Sequence, residues 1–270
     1  MEPRGYALVT GASYGIGEEF AWQLAERGWS LILVARSQDR LAKLRENLLE
    51  RHAQVDVLCV ALDLTAPGAA LQLFEKTQQA KIEVNMLVNN AGFGAFGEFA
   101  ANGRERQRQM IDLNVGVVVE LTYLYLQPMK QRGLGAIVNV GSIAGYVPLP
   151  YNAVYGATKA FVVSFTDALY EEARHYGVRV LAVNPGRTKT NFFETAKMDM
   201  AKDRSQVQTS GQVVKEALRA LNRGKRSVIT GGLNRMLIRL AHFIPRGWTA
   251  AAVAKRARLS HNEVRSPESR

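Results

Sequence analysis

The sequence has 270 residues, of which 47% are hydrophobic and 22% are charged, a composition typical of a folded globular protein. Cys59 is the single cysteine, which excludes an internal disulfide and favours a reducing compartment. The first residues have no basic region, long apolar segment or cleavage site, and no stretch reaches the roughly 18 apolar residues of a spanning helix. These features predict a cytoplasmic protein.

The net charge of +11 is concentrated near the end of the chain. Residues 223–270 contain eleven Lys and Arg residues against two acids, Glu263 and Glu268. Residues 1–222 contain 24 basic and 22 acidic residues and are therefore nearly neutral. The pI of about 9.9 thus describes mainly the tail, and we predict no nucleic-acid partner.

Apolar runs of strand length alternate with longer helical patterns along the chain. Near-continuous apolar strands indicate a parallel sheet that helices cover on both faces. The repeated strand–helix order predicts one α/β domain with a doubly wound parallel sheet and right-handed crossovers. The predicted strands are residues 6–10, 30–35, 55–60, 86–89, 136–140, 178–183 and 227–230, and residues 41–50 are an example of the covering helices.

A glycine-rich turn follows the first strand and precedes a helical stretch at residues 18–28. Gly11, Gly15 and Gly17 have the spacing G-x-x-x-G-x-G. Glycines at a strand-to-helix turn let the backbone approach a pyrophosphate, whose charge the helix N-terminus stabilises. A tight turn without a ligand would also use glycines, but the flanking strand and helix favour a dinucleotide site.

The end of the second strand indicates which nucleotide is bound. An acid there would hydrogen-bond the ribose 2′-hydroxyl of NAD, but this chain has Ala35 followed by Arg36 and Ser37. A guanidinium suits a 2′-phosphate through charge-assisted hydrogen bonds. An exposed arginine without a ligand is the alternative. The pattern predicts NADPH or NADP+ in preference to NADH.

Tyr155 and Lys159 lie four residues apart in a helical stretch, so they share one face of that helix. A phenol with its usual pKa of about 10 carries protons poorly at neutral pH. A neighbouring ammonium and a positive nicotinamide would stabilise the phenolate, and lowering the pKa by about three units takes roughly 4 kcal/mol. The pair therefore predicts an acid–base tyrosine, although such pairs also occur by chance on other helices.

Six signals follow one another in the chain: the glycine turn, the Asn-Asn-Ala-Gly segment at 89–92, Asn114, Ser142, the Tyr155/Lys159 pair and the Pro-Gly turn at 185–190. Together they resemble the short-chain dehydrogenase/reductase family, in its short single-domain branch. The resemblance implies a Rossmann fold and an NADP(H)-dependent enzyme that interconverts a ketone or aldehyde and an alcohol. One detail departs from the family: Tyr14 stands where NADP-preferring members often have Lys or Arg.

The resemblance also implies a role for each site residue. Tyr155 would exchange a proton with the substrate oxygen, and Ser142 would hydrogen-bond that oxygen. Lys159 would bind the nicotinamide ribose and lower the tyrosine pKa, and Asn114 would position a water of a proton relay. Asp63 as a loop cap and Asn114 as a helix-bending residue are the alternatives. The cofactor-binding residues implied are Gly11, Ser13, Tyr14, Gly15, Ile16, Gly17, Arg36, Asp63, Leu64, Asn90, Ala91, Gly92, Tyr155, Lys159, Pro185, Gly186, Thr188 and Thr190.

Aromatic and apolar residues cluster in three loops that this fold would open onto the site. They predict a small-molecule apolar carbonyl substrate, although loop packing would also explain them. The residues are Phe93, Phe96, Phe99, Tyr146, Val147, Leu149, Tyr151, Phe192 and Phe193. The four histidines share no ligand spacing, so we predict no metal.

We predict that the chain divides into a catalytic domain at 1–231, a basic helical extension at 232–259 that packs on or near the substrate site, and a disordered tail at 260–270. The amphipathic extension would cap the substrate pocket, form a subunit interface or lie on an anionic membrane surface. The family resemblance implies a homodimer or homotetramer. The rival function is a non-catalytic NADP(H) sensor or scaffold, against which the complete set of Asn114, Ser142, Tyr155 and Lys159 argues.

Overall fold

The computed structural model describes residues 5–190 and 207–264. Its main sheet has seven parallel strands: β1 Tyr6–Thr10, β2 Ser30–Ala35, β3 Val57–Ala61, β4 Val84–Asn89, β5 Gly135–Val140, β6 Val178–Asn184 and β9 Ser227–Ile229. Their spatial order is β3-β2-β1-β4-β5-β6-β9. Successive strands are added on one side of β1 up to β3 and on its other side from β4 onward. The predicted doubly wound parallel sheet is therefore confirmed.

Helices cover both faces of this sheet. They are α1 Gly15–Ala25, α2 Gln38–Arg51, α3 Ala69–Gln79, α4 Arg104–Ile111, α5 Val117–Arg132, α6 Ala153–Ala173, α7 Ser210–Asn222, α8 Gly232–Ala241 and α9 Arg246–Val264. Short strands β7 Thr188–Lys189 and β8 Gln208–Thr209 form a separate pair. In the described part of the chain, no helix is long and apolar enough to cross a membrane.

Alternate residues of the buried strands enter two separate cores, one on each face of the sheet. Ala7 and Val9 of β1 pack with α1, α2 and α7, whereas Leu8 packs on the opposite face with α3, α5 and α6. Because both faces are covered, all six residues of β4 and of β5 are buried. This is why these strands have no polar face in the sequence.

The basic extension is helical, as predicted, and consists of α8 and α9. α9 runs to Val264, which is beyond the predicted start of the disordered tail, and residues 265–270 lie outside the described range. The apolar and basic residues are clearly segregated in α8 but not in α9. The division into a domain, an extension and a tail stays a prediction.

Candidate active site

A cavity of about 790 Å³ lies at the carboxyl ends of the parallel strands. The loops after β1, β2, β3, β4, β5 and β6 all contribute to its walls, together with the beginning of α6. Strand order reverses beside β1, and the crevice at such a reversal is where doubly wound sheets bind ligands. The cavity is also within the size range of small-molecule and cofactor sites.

The backbone of the glycine turn forms one wall of the cavity, with no side chain at Gly11 or Gly15. Gly11 and Gly15 have φ values of +64° and +65°, a conformation that residues with a Cβ rarely adopt. Gly17 has an ordinary φ, but a Cβ there would collide with the carbonyl oxygen of Gly11. Gly17 therefore allows the close approach of α1 to the turn and does not itself line the cavity.

A hydrogen-bond network joins this turn to the end of β4. The Asn90 side-chain amide donates to the backbone oxygens of Thr10 at 2.9 Å and Gly11 at 3.2 Å. The Thr10 hydroxyl oxygen accepts from the backbone N–H groups of Asn90 and Ala91 at 2.9 and 3.0 Å. Asn90 thus both lines the cavity and fixes the position of the glycine turn.

The far end of the cavity is basic. Arg36, Ser37 and Arg40 lie around the N-terminus of α2, and the Arg40 guanidinium carbon is 5.7 Å from the centroid of the Tyr14 ring. Asp63 faces the same end, and hydrogen bonds from Thr65 hold the pKa of its carboxyl below the usual value, with a smaller contribution from Arg36. Its Oδ1 accepts from the Thr65 backbone and hydroxyl, so Asp63 also caps its loop.

The opposite end contains Ser142, Tyr155 and Lys159, all of them buried. α6 begins at Ala153, which brings the first turn of the helix against the loop after β5. Tyr155 and Ser142 are hydrogen-bonded to each other, and the Ser142 hydroxyl oxygen accepts from the Ala144 N–H at 3.1 Å. The Lys159 ammonium donates to the Val140 carbonyl at 2.7 Å and lies 5.8 Å from the Tyr155 ring centroid.

Within the protein alone, burial shifts the pKa of Tyr155 upward, whereas the lower pKa predicted from the sequence also depends on the positive nicotinamide of a bound cofactor. Burial raises the pKa of Tyr155 to about 12, although the hydrogen bond with Ser142 opposes this shift. Burial also lowers the pKa of Lys159 to about 8, which weakens the lysine as a source of positive charge. Desolvation disfavours the charged form of each group, and the protein by itself keeps Tyr155 protonated.

Asn114 lies behind the cavity, in a π-helical turn at Asp112–Gly116 that connects α4 and α5. Its side-chain oxygen accepts from the Phe93 N–H at 3.1 Å, and its amide donates to the Phe93 carbonyl at 3.0 Å and to the Thr158 hydroxyl at 3.1 Å. The side chain therefore holds the loop after β4 against α6. Turns of π-helix occur frequently at functional sites.

The structure brings together nearly all the site residues named from the sequence. Two of them do not line the cavity: Gly17, which packs against Gly11, and Asn114, which binds the Phe93 backbone. The lining residues from the prediction are Gly11, Ser13, Tyr14, Gly15, Ile16, Arg36, Asp63, Leu64, Asn90, Ala91, Gly92, Ser142, Tyr155, Lys159, Pro185, Gly186, Thr188 and Thr190.

The predicted aromatic lining is only partly present. Phe93 and Leu149 line the cavity, and Tyr155 and Phe93 belong to one apolar cluster with Leu149. Phe96 and Tyr151 contact each other, with ring centroids 6.3 Å apart, and Phe99 is 67% exposed. Tyr146 and Val147 are not among the lining residues, and the predictions for Phe192 and Phe193 lie outside the described residues.

Sequence reasoning missed three cationic side chains, Arg40, Arg106 and Arg187, in the cavity wall. Arg40 follows Arg36 by four residues, so the helical spacing of α2 was a signal for it. Arg106 lies with its guanidinium carbon 5.5 Å from the Phe93 ring centroid, a contact between α4 and the loop after β4. Nothing local in the sequence indicated Arg106, because only tertiary packing brings these elements together.

Comparisons with known proteins agree with this geometry. Residues 5–218 match the family described as short chain dehydrogenase. Sulfoacetaldehyde reductase 2 of Chromohalobacter salexigens is 40% identical over 187 residues, which are 68% of this chain and 73% of that protein. Very-long-chain 3-oxoacyl-CoA reductase of Rattus norvegicus is 31% identical over 248 residues, covering 88% of this chain and 77% of that protein.

A solved structure is similar over nearly its whole length. The short-chain dehydrogenase of Sphingobium yanoikuyae, determined in complex with NADPH, superimposes with a TM-score of 0.80 and is 31% identical. The match covers 90% of this chain and 97% of that one. The chain therefore belongs to the short-chain dehydrogenase family, and it is an oxidoreductase.

Proposed function

We propose that this enzyme is an NADPH-dependent reductase that converts an apolar ketone or aldehyde into an alcohol, with Tyr155 as the proton donor. The observation that carries the proposal is one cavity with Ser142, Tyr155 and Lys159 at one end and Arg36 and the glycine turn at the other. The NADPH complex of the similar dehydrogenase from Sphingobium yanoikuyae supports the choice of cofactor.

The donor set of the cavity fits a phosphorylated dinucleotide. The positive-φ glycines open the turn to a pyrophosphate at the N-terminus of α1, an 11-residue helix. Arg36 and Arg40 present guanidinium groups beside Ser37, where a 2′-phosphate would find charge-assisted donors. β2 ends at Ala35, at the position where an NAD-binding site would have an acid. A 2′-phosphate beside Arg36 therefore meets no negative charge from that position.

Bound NADPH supplies the hydride for the reduction. The protein supplies hydrogen bonds and a proton: Ser142 and Tyr155 would both bind the substrate oxygen through their hydroxyl groups. Tyr155 is protonated at neutral pH, so its hydroxyl can donate to the substrate oxygen, but burial raises its pKa and a nearby positive charge is needed to make the proton transfer favourable. Lys159 would stabilise the resulting phenolate and bind the nicotinamide ribose, and its ammonium is already oriented by the Val140 carbonyl.

The apolar wall near Tyr155 supports an apolar substrate. Phe93, Leu149, Ile143 and Ala144 surround this end of the cavity. Arg106 and Arg187 also line the cavity, so a substrate with an anionic group distant from its carbonyl is compatible with the same site. By name, the two relatives act on anionic carbonyl compounds, sulfoacetaldehyde and a very-long-chain 3-oxoacyl-CoA, and the second of these also has a long apolar chain.

NADPH consumption with a panel of carbonyl compounds tests the proposal. The panel includes bulky apolar ketones, ketosteroids, 3-oxoacyl thioesters and sulfoacetaldehyde, each assayed with NADPH and with NADH. Tyr155→Phe should reduce kcat by about 10²- to 10⁴-fold because the proton-transfer group is lost, and it should raise the Kd for NADPH far less, because Tyr155 is only one of many predicted cofactor contacts. Tyr170→Phe is the matched control, since Tyr170 lies on the same helix and its hydroxyl donates to Gly224.

Three results would contradict the proposal. Full activity of the Tyr155→Phe enzyme would remove the tyrosine from the chemistry. Tight NADPH binding without turnover of any carbonyl in the panel would favour the rival sensor or scaffold function. Loss of NADPH binding in Tyr155→Phe would show that the substitution acts on the cofactor site instead.

We also propose that the enzyme forms a homo-oligomer through α5 and α6. Val119 and Tyr123 on α5 and Phe161 on α6 are exposed large apolar side chains, and Tyr123 is 66% exposed. Light scattering should give a dimer or tetramer, and Tyr123→Asp should shift the population towards the monomer. A monomer in the unmodified protein would refute this assembly.

A further inference from the structure

α8 turns its apolar side towards solvent. Six large apolar residues of α8 and the turn after it are exposed: Leu233, Met236, Leu237, Leu240, Phe243 and Ile244. Phe243 is 88% exposed, and Trp248, at the beginning of α9, is 75% exposed. We call these seven residues the α8 face. Scattered apolar side chains are normal on a protein surface, whereas a contiguous group of this kind marks an interaction site.

The α8 face is a continuous stripe. At about 100° per residue, its four members within α8, Leu233, Met236, Leu237 and Leu240, fall within an arc of about 100° around the helix axis. Ile238, which is buried, lies on the opposite side of the helix. An amphipathic helix normally buries its apolar stripe, so the stripe of α8 is oriented for a partner outside the described fold.

The inner side of α8 is fixed to the catalytic domain. The Asn234 amide donates to the Thr230 carbonyl at 2.9 Å, and the His242 and Tyr146 ring centroids are 6.1 Å apart. Asn234 also packs against Gly186, a residue of the cavity wall, so closely that a Cβ at Gly186 would collide with its side chain. α8 is therefore packed against the catalytic domain. Its exposed face lies about one helix diameter, roughly 10 Å, from the cavity wall.

The segment that contains the α8 face has charges of one sign only. Residues 232–258 contain six Lys and Arg residues and no Asp or Glu. Arg235 pairs with Glu216 at 3.0 Å, whereas Arg239, Arg246, Lys255 and Arg256 are exposed. The surface is therefore apolar in its centre and cationic at its margin.

An apolar centre with a cationic margin favours a lipid surface over a second copy of the chain as the partner of the α8 face. In a two-fold symmetric dimer the same patch faces itself, so the exposed cations of residues 232–258 would approach their own copies, and this segment has no acid to pair with them. An anionic lipid surface offers both an apolar interior and negative head groups. We propose that the α8 face binds an anionic membrane surface, with Phe243 and Trp248 inserted at the level of the head groups and the cations on the phosphates.

Vesicle flotation of the full chain tests this proposal. Vesicles of phosphatidylcholine with phosphatidylserine should carry the protein upward, and pure phosphatidylcholine vesicles should carry much less. The variant Phe243→Ser with Trp248→Ser should bind anionic vesicles about tenfold more weakly or worse. Phe99→Ser is the matched control, because Phe99 is 67% exposed and lies in the loop after β4, outside α8 and the proposed subunit interface.

A charge variant provides a second test that does not touch the apolar residues. Arg239→Glu with Arg246→Glu should weaken binding to anionic vesicles by at least about tenfold, whereas Lys43→Glu with Arg223→Glu, exposed positions elsewhere, should not. Melting temperatures and NADPH binding verify that each variant is folded.

Three results would overturn the proposal. The unmodified protein fails to float with anionic vesicles, or the α8 variants float as well as the controls. In the third, Phe243→Ser with Trp248→Ser changes the oligomeric state in the absence of lipid, as measured by light scattering. That result would show that a second copy of the chain covers the α8 face. Catalytic activity enters none of these outcomes, so they are independent of the proposed reaction.

Discussion

Removing the two arginines at the α2 end of the cavity should weaken binding of NADPH and leave binding of NADH unchanged. Arg36 and Arg40 line the cavity on either side of the first turn of α2, next to Ser37. The two cofactors differ only by the 2′-phosphate, so a contact with that phosphate affects one cofactor and not the other. The substitutions are Arg36→Ala, Arg40→Ala and the double variant.

The structure allows a rough magnitude. A hydrogen bond to a charged group contributes about 1.5–3 kcal/mol, and exposure with salt screening favours the lower end. Both guanidinium groups are exposed, so each substitution should raise the Kd for NADPH by about tenfold, and the pair by about 100-fold if the effects add. Arg40 also stacks on Tyr14 at 5.7 Å, which orients its guanidinium before the cofactor arrives.

Fluorescence titrations with NADPH and NADH at constant ionic strength measure both affinities without any knowledge of the substrate. Lys43→Ala is the matched control, because Lys43 is an exposed cation on the same helix and is not in the cavity wall. The effect of Arg36→Ala should decrease at high salt, as expected for an exposed charge pair.

Two outcomes would refute this reasoning. If NADPH and NADH weaken equally, the arginines support the structure of the site and do not bind the 2′-phosphate. If neither affinity changes, the phosphate binds elsewhere, and the assignment of this end of the cavity is wrong. If only Arg36→Ala weakens NADPH binding, Arg40 contacts Tyr14 but does not bind the 2′-phosphate.

Three further perturbations follow from contacts in and behind the cavity. Gly17→Ala should lower the melting temperature and weaken NADPH binding because its methyl group collides with backbone, whereas Gly103→Ala meets no atom within 4 Å; equal melting curves would contradict the steric account. The folded pKa of Lys159 is about 8, below its ordinary 10.5, so the unfolded chain binds more protons between these values and stability rises with pH. Denaturant titrations should therefore show the wild type gaining about 2 kcal/mol relative to Lys159→Met from about pH 8 to pH 10, and parallel pH profiles would refute the buried-lysine assignment. Asn114→Ala should cost about 1–3 kcal/mol of unfolding free energy, because the part-buried Phe93 backbone groups and the buried Thr158 hydroxyl lose their hydrogen bonds to Asn114, while the exposed Asn222→Ala should cost little; an equal loss would contradict this.

The strand predictions succeeded because parallel strands buried on both faces have a strong local signal. β1 and β2 agree with their predicted bounds to the residue, and the other five strands of the main sheet agree within two residues at either end. The glycine turn was equally clear, since its φ values and its close contacts can be met only by glycine. In each case the requirement lies within a few consecutive residues.

The pKa of Tyr155 shows what a local pattern leaves out. The sequence places Lys159 one helical turn away, and a nearby cation predicts a lower pKa. In the folded protein both side chains are buried, and desolvation raises the pKa of the phenol to about 12 and lowers that of the ammonium to about 8. Burial depends on what every neighbouring element covers, which no four-residue spacing contains.

By itself, the sequence determined the succession of strands along the chain, the glycine turn, the Tyr155/Lys159 pair and the position of the basic segment. Those features depend on backbone conformation and on residues close together in the chain. Only the tertiary structure placed Arg106 in the cavity wall, turned Asn114 towards the Phe93 backbone and left the apolar stripe of α8 exposed. The physical reason is that contacts between distant segments and the burial of a face are properties of the packed molecule, and identical local patterns can end in either environment.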